Sequence, residues 1–146
     1  MSIAILVSEW NAEITEGLKK GAVDTLLRYG LDPDQLALHY VPGSYELPMG
    51  AQLALESDPK IDAVICLGCV IQGETRHFDF VCEAVSQGVK EVSLKYNKPV
   101  IFGVLTDNTI EQSRARSGGK LGNKGDEAAI TAIKMVALKN ELTSKS

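Results

Sequence analysis

Short, largely apolar runs alternate along this chain with stretches in which apolar residues recur every three or four positions. Ile3-Ala4-Ile5-Leu6-Val7, Leu36 to Val41, Ala63-Val64-Ile65-Cys66-Leu67 and Pro99 to Leu105 are runs of the first kind. All four are expected to be strands, and the short, partly β-branched run Ala63 to Leu67 reads as a buried strand of a parallel sheet. Between the first two, Ile14, Leu18, Ala22 and Leu26 mark one face of a helix from about Ala12 to Tyr29, stopped by Gly30 and Asp32-Pro33. Leu47, Ala51, Ala54 and Leu55 mark a second helix that ends at Asp58-Pro59. Phe78, Val81, Cys82, Val85, Val89 and Val92 mark a third. A short helical stretch near Thr109 to Arg116 and a last helix from about Asp126 to Leu142 flank the Gly-rich segment Ser117 to Gly125.

This strand–helix alternation implies right-handed crossovers. The expected fold is α/β: a flavodoxin-like three-layer sandwich, with a four-stranded parallel sheet and helices on both faces. Residues 1–146 carry no repeat or linker and are expected to form one domain. Ligands of such sheets bind beyond the C-terminal ends of the strands. The loops expected there carry Ser8-Glu9-Trp10-Asn11, Gly43-Ser44-Tyr45-Glu46, Cys69 to Thr75 and Thr106-Asp107-Asn108. Polar and aromatic residues are thus gathered on one edge of the sheet.

Within that edge, Gly68 to Phe80 is the most informative stretch. The third strand is expected to end near Cys69 and the following helix to begin near Thr75, with Gly73 in the turn. Free backbone N–H groups at such a junction stabilise an anion. Thr75 can cap the helix and offer a hydroxyl. His77 falls in the first turn, beside whatever binds there, as a candidate acid–base group. The combination reads as a phosphate site with an acid–base group beside it.

Composition narrows the class. Apolar residues make up 45% and charged residues 23% of 146, as in a globular domain. A net charge of -4 with no basic stripe argues against a nucleic-acid partner. The cations between Arg114 and Lys124 suit a small anion better. No run is long enough to span a membrane and no signal peptide is evident, so a cytoplasmic location is expected. The odd number of cysteines, Cys66, Cys69 and Cys82, reads as reduced thiols. Cys66 and Cys69 stand three apart on a strand and face opposite sides, which is poor geometry for a disulfide. No closely spaced ligand set suggests a metal. Gly118-Gly119-Lys120 follows a short helix and precedes no Ser or Thr, so it is not a P-loop.

Single residues leave choices open. Trp10, the only tryptophan, either plugs the end of the first strand or offers a face for stacking a heteroaromatic ring. Glu46 reads as a helix cap or a ligand contact. His39, inside the second strand, is expected to be structural. Arg114 and Arg116 are either solvated charges or a bidentate phosphate clamp.

The ordered motifs, taken together, resemble one family. Ser8 to Asn11, Val41-Pro42-Gly43-Ser44-Tyr45-Glu46-Leu47-Pro48, Gly68 to Phe80, Pro99 to Thr106, and Arg116 through Gly125 are similar to the 6,7-dimethyl-8-ribityllumazine synthases of riboflavin biosynthesis. The resemblance implies condensation of 5-amino-6-(D-ribitylamino)uracil with 3,4-dihydroxy-2-butanone 4-phosphate, without metal or organic cofactor. It implies that Trp10 and Asn11 lie against the pyrimidine and that Ser44, Tyr45 and Glu46 hold the ribityl chain and ring edge. Backbone groups of Cys69, Val70 and Ile71 would read the ring, and Phe102 and Lys124 would close the pocket. Gly73, Glu74, Thr75 and Arg116 would take the phosphate, and His77 would transfer protons. It further implies a homo-oligomer, either a pentamer or a sixty-subunit shell, with sites shared between subunits and riboflavin synthase as a candidate partner. Two other classes share the fold: a flavin- or phosphate-binding module without turnover, and a capsid-type scaffold.

Overall fold

A computed structural model describes residues 1–144. Four parallel strands, β1 (Ile3–Ser8), β2 (Leu36–Val41), β3 (Ala63–Ile71) and β4 (Val100–Asp107), form a sheet of order β2-β1-β3-β4. Helices α1 (Ala12–Arg28), α2 (Leu47–Ser57), α3 (His77–Tyr96), α4 (Ile110–Arg116) and α5 (Lys124–Thr143) complete the α/β architecture.

Alternation along the central strands divides the core. Ile3, Ile5, Val7, Ile65, Leu67 and Cys69 pack with Ile14, Leu18 and Leu26 of α1 and Ala129, Ala132 and Val136 of α5. Ala4, Leu6, Val64 and Cys66 pack on the other face with Leu47, Ala51 and Leu55 of α2 and Val85, Val89 and Val92 of α3. Both faces are covered, which is why β1 and β3 read as unbroken apolar runs. Cys66 and Cys69 fall in different halves of the core, as their spacing requires.

Several boundaries differ from the sequence expectation. β3 continues to Ile71 rather than ending near Cys69, because Val70 and Ile71 still pair with Thr106 and Asp107 of β4. α3 begins at His77 rather than Thr75: the chain from 72 to 76 is non-helical, and Arg76 takes the N-cap position. α5 begins two residues early, at Lys124, because the Asn123 side chain accepts the Gly125 N–H at 2.8 Å. The Gly-rich segment is not a plain loop. β5 (Ser117–Gly119) and β6 (Gly122–Asn123) form a small antiparallel hairpin, with Gly118 and Gly122 at positive φ. His39 is exposed on the edge strand β2 and supports no core.

Candidate active site

β1 separates β2 from β3, so the chain reverses its direction of sheet growth between β1 and β3, and a crevice opens there. A second detail of register widens it. β1 and β3 pair only as far as Val7 opposite Leu67, whereas β3 and β4 pair to Ile71 opposite Asp107. Gly68 to Ile71 therefore have strand partners on one flank only. The other flank borders a cleft of ≈ 610 Å³ lined by residues from the ends of three strands and the start of α3.

Asn11 is the strut of this cleft. It adopts the left-handed conformation, φ 60° and ψ 47°, which asparagine tolerates better than most side chains. Its carbonyl accepts the N–H groups of Ile14 and Thr15 and so opens α1. Its Nδ2 donates to the Cys69 carbonyl at 3.1 Å, tying the β1–α1 turn to the overhanging end of β3. Trp10 precedes it with its N–H bonded to Pro42 O at 3.1 Å. The indole is 70% exposed, so it is not a plug; one edge of the ring rests over Gly43.

The turn after β2 supplies the opposite wall. Ser44 to Glu46 form one turn of 3₁₀ helix leading into α2. Glu46 Oε1 accepts the Gly43 N–H at 3.0 Å, so the carboxylate is a cap and also lines the cleft. Tyr45 is 62% exposed, and the Ser44 side chain is buried with its hydroxyl unpartnered. A buried hydroxyl without a partner is costly. The floor is Cys69, Val70 and Ile71, and the third wall is His77, Phe80 and Val81.

Below the floor, the Cys69 thiol donates to Ser113 Oγ at 3.4 Å, and Ser113 donates to Asp107 Oδ2 at 2.8 Å. Burial pushes the Cys69 thiol up, the Ser113 contact opposes this, and the Asp107 charge adds to it. Cys66, fully buried, is pushed up to about 12. Burial also raises Cys82, helped by Asp79. None of the three is poised as a thiolate nucleophile.

The loop 72–76 links Ile71 to His77, two residues that line the cleft, without lining it itself. Gly73, Glu74 and Thr75 are exposed there, and Thr75 Oγ1 accepts the His77 N–H at 3.3 Å, so Thr75 caps α3 from one position before the N-cap. Phe102, Arg116 and Lys124 are elsewhere. They line a second cleft of ≈ 450 Å³ along the open flank of the edge strand β4, together with Thr106, Asp107 and Glu127. Arg116 Nη1 donates to Gln112 O at 2.9 Å, and Lys124 Nζ lies 3.7 Å from Glu127 Oε1. Arg114 is spoken for: its Nε and Nη2 grip Glu13 at 2.8 and 3.2 Å.

A family model for 6,7-dimethyl-8-ribityllumazine synthase matches residues 1–140. The 6,7-dimethyl-8-ribityllumazine synthase of Cytophaga hutchinsonii is 63% identical over 134 residues, 91% of this chain and 83% of that protein. The chain belongs to this lumazine synthase family. Its relative of the same name from Christiangramia forsetii is 56% identical over 137 residues, 94% of this chain and 82% of that protein. That from Bacteroides fragilis is 53% identical over 136 residues, 93% and 94% of the two chains.

Set beside this family membership, nine sequence-derived residues share the first cleft: Trp10, Asn11, Ser44, Tyr45, Glu46, Cys69, Val70, Ile71 and His77. Within one chain, Gly73, Glu74 and Thr75 stand in the adjoining loop outside that lining, and Phe102, Arg116 and Lys124 line the second cleft instead. Phe80 and Val81 were not anticipated as lining residues. For Phe80 a signal existed, because it stands at i+3 from His77 and shares its side of the helix. The Cys69–Ser113–Asp107 chain had none, since it joins residues 44 and 6 positions apart in sequence. Among the described residues no group of three or more His, Cys, Asp or Glu side chains could hold a metal ion. No helix of the described residues is long and apolar enough to cross a membrane.

Proposed function

We propose that this chain catalyses the condensation of 5-amino-6-(D-ribitylamino)uracil with 3,4-dihydroxy-2-butanone 4-phosphate, giving 6,7-dimethyl-8-ribityllumazine, phosphate and water. The observation that carries the reading is the half-paired stretch Gly68–Ile71 facing an exposed indole across the first cleft. Strand-edge amides and carbonyls without a strand partner, apart from the Cys69 carbonyl that Asn11 already holds, read the edge of a flat heterocycle, and the indole stacks on its face. Ser44, which lines the cleft, and the carboxylate oxygen of Glu46 not used as a cap hold the ribityl chain. Tyr45 covers the chain.

The uracil amine attacks the ketone and loses water to form a Schiff base. Phosphate then leaves by elimination, and ring closure with loss of water gives the lumazine. His77 moves protons in these steps, a role worth about 10²–10⁴-fold. Holding two reactants together supplies the larger part, up to about 7–11 kcal/mol. Gly73, Glu74 and Thr75 offer loop amides and a hydroxyl to the phosphate.

The separation of Phe102, Arg116 and Lys124 from this cleft supports a shared site in a homo-oligomer, here a cytoplasmic pentamer, with a sixty-subunit shell as its higher assembly and riboflavin synthase as its candidate partner. In such a ring, the second cleft of one subunit faces the first cleft of the next. Arg116 then reaches the phosphate while Phe102 and Lys124 close the pocket. The test is subunit complementation, followed by lumazine absorbance and phosphate release. His77→Ala alone and Arg116→Ala alone lose most activity. Unfolding and refolding them as a mixture restores it, because some interfaces then unite two wild-type halves. Mixed oligomers as weak as either parent would refute the shared site. Tight uracil or flavin binding by the wild type without turnover would favour the binding-module reading.

A further inference from the structure

The first cleft is short of positive charge for a substrate bearing a phosphate. Its lining includes one carboxylate, Glu46, and neither lysine nor arginine. The stretch from Gln72 to Asp79 adds two more carboxylates, Glu74 and Asp79, and a single cation, Arg76. Arg76 takes the N-cap position of α3, between Thr75 and His77. Its guanidinium carbon lies over the ring of Phe80, 5.9 Å from the centroid, and Phe80 is a wall of the cleft. Among the described residues Arg76 forms no ion pair, unlike Arg114 with Glu13.

We propose that Arg76 binds the phosphate group of the phosphorylated substrate from within the same chain, as a second arginine besides Arg116. The inference rests on the synthase reading for the identity of the substrate. Phe80 acts as a platform. A cation over an aromatic face keeps its side chain near the cleft wall while leaving its N–H donors free for an anion. A phosphate dianion accepts from more than one guanidinium, and charge-assisted contacts of this kind are the strong ones. Arg76 also offsets the Glu74 and Asp79 carboxylates, which would otherwise repel the incoming phosphate.

The test compares Arg76→Ala, Arg76→Lys and Phe80→Leu with the wild type in two measurements. Melting temperatures with and without millimolar inorganic phosphate report anion binding independently of turnover. The KM values for the two substrates report it during turnover. Arg76→Ala should lose most of the phosphate-induced stabilisation and raise KM for the butanone phosphate about 10-fold, with KM for the uracil within about 2-fold of wild type. Arg76→Lys should keep part of both effects, and Phe80→Leu should raise the phosphate-substrate KM about 2–3-fold. Unchanged phosphate protection and KM in Arg76→Ala would overturn the proposal. So would equal rises in both KM values with a lower phosphate-free melting temperature, which would mark a structural role. A wild type without turnover whose phosphate protection still depends on Arg76 would sink the synthase reading and leave this contact standing.

Discussion

Adding one methyl group at Gly43 separates the two jobs of the β2–α2 turn. A Cβ there would lie 2.8 Å from Trp10 Cε3, 3.0 Å from Cζ3 and 3.3 Å from Glu46 Oε1. Carbon atoms settle about 3.5–4.0 Å apart, so the indole must retreat by about 1 Å. The backbone itself is extended, φ -140° and ψ 176°, and accepts alanine without strain. The indole is 70% exposed and can swing outward, so Gly43→Ala should cost less than about 1 kcal/mol, against about 1–3 kcal/mol for overpacking in a closed core. Binding is another matter. Stacking of a base on an aromatic side chain is worth about 1–3 kcal/mol, and a displaced ring forfeits much of it. Loss of about 1–2 kcal/mol weakens uracil binding about 5–30-fold. Trp10 is the only tryptophan, so its fluorescence during titration with the ribitylaminouracil reports the site directly, while urea midpoints report stability. Wild-type affinity in the variant would refute the stacking role. A stability loss beyond about 3 kcal/mol would show that the indole is held as part of the core.

Other outcomes follow from the same geometry. His77→Ala should reduce kcat about 10²–10⁴-fold and leave activity above the uncatalysed background, since proximity persists; complete loss of turnover in a folded variant would contradict that ordering. Arg116→Ala should raise KM for the butanone phosphate, whereas Arg114→Ala should not, because Arg114 is gripped by Glu13 on the exposed surface; equal effects in steady-state kinetics would reject the distinction. Cys66, with an ordinary value of 9.0 raised to about 12 by burial, makes stability fall in alkali. Its thiol is protonated in both states below pH 9. Between about 9 and 12 only the unfolded chain releases the proton, so stability drops by about 1.4 kcal/mol per pH unit. Urea midpoints at pH 8 and pH 10.5 should therefore differ less in Cys66→Ala than in the wild type.

What was legible in the sequence follows from how locally each feature is encoded. β2 and the helix faces of α1 and α2 depend on period and on breakers such as Asp58-Pro59, which a single stretch of chain displays. The sheet edge that bears the cleft was legible too, because every parallel strand presents its following loop on the same side. The register was not. That β3 outruns β1 by four residues is decided by β4, a strand almost thirty positions further on, and no pattern within Gly68–Ile71 announces it. Trp10 illustrates the same limit: plug or stacking surface depended on whether anything covered the indole, and only the turn at Gly43 answers that. The separation of the two clefts has a deeper cause. Residue types such as Phe102, Arg116 and Lys124 declare what chemistry they can do but not in which cleft. Both clefts open at the same end of the sheet, yet β3 and β4 stand between them. On the shared-site proposal, the two clefts meet across a copy of the chain. Complementation between His77→Ala and Arg116→Ala subunits therefore probes the topology of the sheet as much as the chemistry of either residue.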